Sequence, residues 1–237
     1  MERWDKASMP NSADPSDQHP SVQWPLPQPW PLHPPQRLAV MASGAGSNFE
    51  GLVEACRSQL LGAEVALLVV NNPGCGAEQR AARLQVPCQR INHRDHASRE
   101  SLDNALIAAF RQARVDLVVM AGWMRIVTPV LVDAYPDRLI TIHPSLLPSF
   151  RGVDAVGQAL AAGVQLTGCT AHLVRPEVDA GPVLVQAAVP VLAGDDHDSL
   201  TARIQQQEHR ILPLAVALAA NRLAAGAASP AAADAQG

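Results

Sequence analysis

A histidine and an aspartate whose types suit acid–base chemistry stand out in this chain of 237 residues. His143 lies in the run ITIHPSLLP, directly after a predicted buried strand, and Pro144 restricts the backbone that follows it. Asp179 lies in EVDAGPV, on a Gly-Pro loop between two predicted strands. A carboxylate beside an imidazole orients the ring and favours its protonated form, so the two could together move a proton. A histidine that only packs is the alternative, and the sequence leaves open whether the two side chains meet.

The turn SGAGSN is the second chemical feature of the sequence. Gly44 and Gly46 allow a tight turn, and Ser47 and Asn48 are predicted to open the next helix as N-caps. Such a turn points free N–H groups at an anion, which the helix dipole also favours. Because Phe49 occupies the place of the third glycine in a G-x-G-x-x-G motif, a single phosphate is favoured over a dinucleotide. A plain capped turn is the alternative.

The basic residues exclude several kinds of chemistry. Among 18 Lys+Arg residues the only lysine is Lys6, so no core lysine can form a Schiff base or complete a G-x-x-x-x-G-K-[ST] phosphate loop. A bound phosphate must therefore be held by backbone N–H groups, arginine or hydroxyls. The net charge of -4 gives no indication of a basic surface. Neither a nucleic acid nor a membrane is therefore expected as a partner.

The sequence predicts no metal site. The cysteines form no C-x-x-C pair and are expected to be reduced and packed as small apolar residues; they are Cys56, Cys75, Cys88 and Cys169. The run from His93 to His96 (HRDH) has metal-ligand residue types, but it lies in a predicted polar loop, so a metal is not expected there.

Strands and helices must alternate to position these residues. Short apolar runs separated by helical segments are typical of a parallel sheet covered on both faces, which predicts an α/β fold with a doubly wound, mostly parallel central sheet. Polar clusters (SGAGSN, GWMR and HPSLLP) follow three of the strands, where such sheets bind ligands. From residue 167 the pattern is more typical of a hairpin followed by a long helix. The predicted strands are 37–42, 63–70, 87–91, 116–121 and 139–142, and the predicted helices are 49–60, 77–84, 98–114 and 199–219.

The two ends of the chain differ in composition from its middle. Residues 1–36 hold nine of the 20 prolines and three of the four tryptophans, which predicts a disordered extension. Residues 37–225 are predicted to form the domain, and residues 226–237 a disordered alanine-rich tail. Because the sequence contains neither a transmembrane run nor a signal peptide, a cytoplasmic protein is expected.

Taken together, the blocks HPSLLPSFRG, GCTAHLV, EVDAGPV and QQQEHRILP resemble the phosphoribosylglycinamide formyltransferase family. The resemblance runs from about residue 37 to residue 222, with the motifs in the family's order. It implies transfer of a formyl group from 10-formyltetrahydrofolate, a co-substrate, to the amine of 5-phosphoribosylglycinamide in purine synthesis. It also implies small-molecule substrates, no metal, and a monomer or homodimer.

The resemblance also implies roles for individual residues. Those matching the ribonucleotide site are Gly46, Ser47, Asn48 and Glu208. Those matching the formylfolate site are Arg99, Met124, Arg125, Ile126, Val127, Thr141 and Val178. The catalytic residues it implies are His143, Asp179 and Thr141. For Glu208 a solvated helix residue is the alternative.

The sequence departs from the family at one catalytic position. Where the family has N-I-H, this chain has Thr141-Ile142-His143. The family's asparagine donates to the formyl oxygen as negative charge develops, and the shorter, β-branched threonine would reach that oxygen directly or through water. Loss of one such donor can lower turnover roughly 10²–10³-fold.

Three other functions share parts of this pattern. A formyltetrahydrofolate hydrolase has similar HPS and DAGP blocks but carries a regulatory domain that 36 proline-rich residues are not expected to form. A methionyl-tRNA formyltransferase shares HPSLLP but adds a basic domain for RNA. A non-catalytic ligand-binding paralogue would account for Thr141. In such a protein, however, His143, Asp179 and the turn SGAGSN would have no reason to occur together.

Overall fold

The structure is a computed structural model that describes residues 23–24 and 30–228, with side chains for residues 30–225. Strands and helices alternate along most of the chain. The strands are β1 (Gln23–Trp24), β2 (Gln36–Ala42), β3 (Ala63–Val70), β4 (Cys88–Arg90), β5 (Leu117–Met120), β6 (Leu139–His143), β7 (Leu166–Leu173) and β8 (Val183–Pro190). The α-helices are α1 (Ser47–Arg57), α2 (Gly76–Arg83), α3 (Arg99–Gln112), α4 (Pro129–Ala134), α5 (Ala155–Ala162) and α6 (His197–Ala228).

All the strands join one sheet in the order β1-β8-β7-β6-β5-β2-β3-β4. The five strands from β6 to β4 are parallel to one another, whereas β7 is antiparallel to both β6 and β8, and β1 is antiparallel to β8. This confirms the predicted doubly wound, mostly parallel sheet and the hairpin after residue 167. Because β2, β5 and β6 are parallel, the turns that follow them lie at one edge of the sheet.

Alternating side chains of β2 show why both faces are covered. Leu38 and Val40 pack in a core with α1, α5 and α6, whereas Ala39 and Met41 pack in a second core with α3 and α4. All four side chains are fully buried. Within the described residues no helix combines the length and the apolar character that crossing a bilayer requires.

The two short helices α4 and α5 were not predicted. Each depends on a local cap rather than on a long apolar repeat: the Thr128 hydroxyl caps α4, which has Pro129 in its first turn, and Asp154 accepts a hydrogen bond from the Gly157 N–H to cap α5. The six residues of α4 are too few to show a helical period, and α5 (AVGQALAA) has a single polar residue, so its sequence shows no alternation of polar and apolar faces.

The domain begins before the predicted boundary at residue 37. Trp30 pairs with Leu61 in a parallel bridge, and Leu32 is buried in the core, 4% exposed. A Cβ on Gly62 would lie 2.3 Å from the Leu32 nitrogen, so that glycine permits the close contact. Residues 30–36 are therefore part of the packed domain, because they cover apolar surface at the start of β3. At the other end α6 continues to Ala228, three residues into the predicted tail. The rest of the predicted extension and tail, apart from β1, lies outside the described residues.

The start of α6 is held by an ion pair between Asp195 and Arg203. The guanidinium donates to both carboxylate oxygens, at 2.7 and 2.8 Å, and the Leu192 N–H and Ser199 hydroxyl also donate to the carboxylate. The Asp195 side chain is only 4% exposed. Chiefly the Arg203 hydrogen bonds, against the effect of burial, lower the pKa of Asp195 to about 2.

We expect Asp195→Asn to lower the free energy of unfolding at pH 7 by about 2 kcal/mol, since each pKa unit corresponds to about 1.4 kcal/mol. Because the folded-state pKa lies below the unfolded one, this stability is present above about pH 4 and is lost as the pH falls towards 2. Urea unfolding at several pH values measures the difference, with Asp198→Asn, at a fully exposed carboxylate, as the control. A difference between wild type and variant that does not shrink in acid would contradict this interpretation.

Candidate active site

His143 and Asp179 lie side by side at one edge of the sheet. His143 ends β6, and Asp179 lies in the connection between β7 and β8, where its φ of 53° places it in the left-handed region. Their Nδ1 and Oδ2 atoms are 3.5 Å apart, and both side chains are largely buried. The structure thus brings together the two residues whose types suggested acid–base chemistry.

The partners of this pair suit a charged histidine and a charged aspartate. His143 Nε2 lies 2.8 Å from the Phe150 carbonyl oxygen, so both ring nitrogens face oxygen acceptors. A ring with a proton on each nitrogen can donate to both. Burial opposes the ionised form of Asp179, but His172, the Gly152 N–H and the His143 charge together hold the pKa of Asp179 below its ordinary value. The Gly152 bond is 2.8 Å long.

A second histidine, His172, faces the same carboxylate and was missed from the sequence. It lies on β7 directly opposite Thr141, it is 2% exposed, and its Nε2 lies 3.8 Å from Asp179 Oδ1. Its Nδ1 is 2.9 Å from the Leu173 carbonyl oxygen, which leaves Nε2 aimed at the carboxylate without a hydrogen-bond partner. The sequence feature that could have indicated it is a histidine inside a predicted strand, in the block GCTAHLV.

Thr141 lies on β6 two residues before His143, on the same face of the sheet. Its hydroxyl donates to the Met120 carbonyl oxygen at 3.2 Å. The hydroxyl proton is therefore directed into the sheet, which favours the water-mediated route to the formyl oxygen over the direct one among the two that the sequence left open.

The turn after β2 differs in one respect from the prediction. Gly46, with φ of 79°, is the N-cap of α1, so Ser47 and Asn48 lie in the first helical turn instead of capping it. A Cβ on Gly46 would lie 2.6 Å from Ala77, and a side chain is therefore excluded there. The backbone N–H groups of residues 46–48 still lie at the start of a helix, where an anion is favoured.

Glu208 joins this turn from α6. Its Oε2 accepts a hydrogen bond of 2.7 Å from the Asn48 side chain, and it is 6% exposed. Burial raises the pKa of Glu208, although the Asn48 bond opposes this effect. The alternative of a solvated helix residue is therefore wrong, because two of the residues assigned to the ribonucleotide site bind each other in a buried place.

A cavity of about 380 Å³ opens between α3 and the segment after β5. Four of the residues assigned to the folate site line it, whereas Val127 is buried in the core beside it and Val178 is half-exposed elsewhere. Within the described residues, neither Arg99 nor Arg125 has an acidic partner within 4 Å. The lining residues are His93, His96, Ser98, Arg99, Leu102, Met124, Arg125 and Ile126.

The HRDH run belongs to this cavity. Its His93 and His96 line the wall near Arg125, and burial together with the charges of Arg125 and Arg94 lowers the pKa of His93. Over the part of the chain that the structure describes, His, Cys, Asp and Glu side chains form no group of three that could hold a metal ion. The excess of cationic groups suits an anionic ligand.

Comparison with known proteins identifies similar sequences and structures. The family model described as formyl transferase matches residues 36–216. The trifunctional purine biosynthetic protein adenosine-3 of Drosophila melanogaster is 45% identical over 188 residues, which are 78% of this chain and 14% of that protein. The chain thus spans about one seventh of that relative. Phosphoribosylglycinamide formyltransferase of Escherichia coli (strain K12) is 39% identical over 179 residues, 76% of this chain and 84% of that protein.

Solved structures have the same fold. Glycinamide ribonucleotide transformylase 1 from Symbiobacterium toebii is 39% identical with a TM-score of 0.78, over 81% of this chain and 90% of that one. The enzyme of the same name from Geobacillus kaustophilus is 41% identical with a TM-score of 0.74, over 77% and 97% of the two chains.

Proposed function

The chain belongs to the formyl transferase family, and from that premise we propose that it transfers the formyl group of 10-formyltetrahydrofolate to the amine of 5-phosphoribosylglycinamide. The observation that carries this proposal is the His143–Asp179 pair, which lies at the sheet edge where the turns after β2 and β5 also lie. The first of these turns suits a phosphate, and the second forms a cationic cavity. The products are formylglycinamide ribonucleotide and tetrahydrofolate.

In the proposed reaction the glycinamide amine attacks the formyl carbon. A C–N bond forms to the glycinamide nitrogen, and a tetrahedral oxyanion develops. His143 as imidazolium stabilises that charge, and the bond from carbon to folate N10 then breaks. The imidazolium gives its Nε2 proton to N10 as that bond breaks, for which Nε2 must exchange the Phe150 carbonyl oxygen for the substrate. The ring then takes up the proton lost by the amine, while Asp179 keeps it oriented through Nδ1. Formyl transfer done in this way needs positioning and proton transfer but no metal.

The ribonucleotide fits the turn after β2. We assign the phosphate to the backbone N–H groups of Gly46, Ser47 and Asn48. Glu208, held by Asn48, would accept from the ribosyl glycinamide. A site of this kind needs no lysine, in agreement with the composition of the chain.

The formylfolate fits the cavity beside α3. Backbone groups of residues 124–127 would read the hydrogen-bonding edge of the pterin, and Arg99 and Arg125 suit the carboxylates of the folate. Val178, in the connection that carries Asp179, does not line this cavity, and its role in the folate site stays a prediction. A cytoplasmic location, action on small molecules as a monomer or homodimer, and the absence of nucleic-acid and membrane partners stay predictions.

Incubation of the full chain with 10-formyltetrahydrofolate, with and without the ribonucleotide, tests this function. We expect tetrahydrofolate to form only when the ribonucleotide is present. Release of formate without the ribonucleotide would instead indicate a hydrolase. Binding of both ligands without turnover would indicate a non-catalytic paralogue.

We expect Glu208→Gln to raise the KM for the ribonucleotide about 10-fold or more, with a smaller change in the KM for the formylfolate. The amide preserves the size of the side chain but puts a donor NH2 group in place of an acceptor oxygen in a buried hydrogen-bonding site, where a mismatched polar group costs roughly 1–3 kcal/mol. Steady-state kinetics at varied ribonucleotide concentration measure the effect. Gln206→Ala, at an exposed position of the same helix, is the control. Equal KM values for wild type and Glu208→Gln would remove Glu208 from the proposed site.

A further inference from the structure

The segment from Gly122 to Thr128, which forms one wall of the cavity, is attached to the rest of the protein at both ends. At its start, Ser43 donates its N–H to the Gly122 carbonyl oxygen at 3.0 Å. The Ser43 hydroxyl oxygen accepts the Met124 N–H at 2.9 Å. Ser43 is 5% exposed, so these bonds are shielded from water.

At the other end of the segment a buried carboxylate, that of Asp103, anchors Thr128 by hydrogen bonds. Asp103 on α3 is 1% exposed, and its Oδ2 accepts from both the N–H and the hydroxyl of Thr128, at 2.7 and 2.8 Å. Desolvation by burial raises the pKa of Asp103 against the effect of these two bonds. The same helix carries Arg99 and Leu102, which line the cavity. Asp103 therefore sets the distance between the two walls.

Ser43 differs from Asp103 because it also belongs to the site assigned to the ribonucleotide. It is the first residue of the turn SGAGSN, and its carbonyl oxygen accepts from the Asn72 side chain at 2.8 Å. The next residue, Gly44, accepts the Ala77 N–H at 3.0 Å, and Ala77 is the residue against which Gly46 packs. One buried serine thus connects the turn assigned to the phosphate with the wall assigned to the folate.

We propose that Ser43 is a positioning residue shared by the two substrate sites, and that Asp103 is a positioning residue for the folate wall alone. This inference rests on the proposed function, because it takes the ligands of the two sites from there. Ser43 touches neither ligand in this account. It holds the Met124 N–H and the start of the phosphate turn in one arrangement, so that each site is formed before its ligand arrives.

Calorimetric titration of the full chain with the ribonucleotide, and separately with tetrahydrofolate, distinguishes the role of Ser43 from that of Asp103. We expect Ser43→Ala to raise the dissociation constant for tetrahydrofolate about 10-fold, because the variant leaves the Met124 N–H without its acceptor. The backbone bonds of Ser43 persist in this variant, so the dissociation constant for the ribonucleotide should rise by a smaller factor, through loss of the link between the turn and Met124. Asp103→Asn should weaken tetrahydrofolate binding by a similar factor and leave the ribonucleotide constant within about 2-fold. Ser43→Thr, which keeps the hydroxyl, should restore most of the affinity for both ligands.

Two controls keep structural damage apart from positioning. Ser58→Ala removes a hydroxyl that bonds the Ala55 carbonyl oxygen at the end of α1, and it should change neither constant. Circular dichroism establishes that each variant is folded before binding is measured. A Ser43→Ala protein that is folded and binds either ligand as tightly as wild type would overturn the shared role. A wild-type protein that binds neither ligand would overturn the proposed function and this inference with it.

Discussion

We expect His143→Ala to lower kcat about 10²–10⁴-fold while the two KM values change little. The variant loses the group that carries the proton and stabilises the oxyanion, but it leaves intact the Asn48–Glu208 bond and the cavity that bind the substrates. Rapid-quench measurement of a single turnover reports the chemical step directly. His197→Ala removes an exposed histidine that contacts Asp154, Asp198 and the Thr201 hydroxyl, and it should keep the wild-type rate.

A modest loss of activity in His143→Ala would contradict this mechanism. In that case another group carries the proton, and His172, which faces the same carboxylate, is the candidate that the structure offers. His172→Ala measured beside His143→Ala would then identify it.

The second large effect is expected at Thr141. We expect Thr141→Asn to raise kcat about 10²–10³-fold, because an asparagine amide can supply a donor for the oxyanion that the threonine does not. The Thr141 hydroxyl donates to the Met120 carbonyl oxygen, so its proton is already used. The measurement is kcat at saturating concentrations of both substrates.

Thr141→Val is the matched control for this prediction. Valine keeps the branched shape and removes the hydroxyl, so kcat should stay within about 3-fold of wild type. A much larger loss in Thr141→Val would show that the threonine hydroxyl acts on the oxyanion, directly or through water. An unchanged rate in Thr141→Asn would show that the oxyanion is already fully stabilised by other groups.

Much of the fold could be predicted from the sequence because its central strands are buried on both faces and therefore contain continuous apolar runs. The runs at β2, β3 and β5 show this, and the turns after β2, β5 and β6 place the three polar clusters at one edge of the sheet. The helices α4 and α5 could not be predicted, since local caps hold them. The packing of residues 30–36 depends on contact with Gly62, which is distant in the sequence.

For the site, the sequence indicated residue types but not their contacts. That His143 meets Asp179 depends on the connection between β7 and β8, and that Glu208 meets Asn48 depends on where α6 crosses α1. The spacing of these residues along the sequence predicts neither contact. His172 was missed because a single histidine in a buried strand is usually a packing residue.

The fate of the formyl carbon tests the proposed reaction most directly. Wild-type protein is mixed with 10-formyltetrahydrofolate that carries an isotopic label on that carbon, together with the ribonucleotide, and the products are separated. We predict that the label appears on the former glycinamide amine, in an amount equal to the tetrahydrofolate formed. Label recovered as free formate, or left on the folate while the ribonucleotide is unchanged, would contradict formyl transfer to the ribonucleotide.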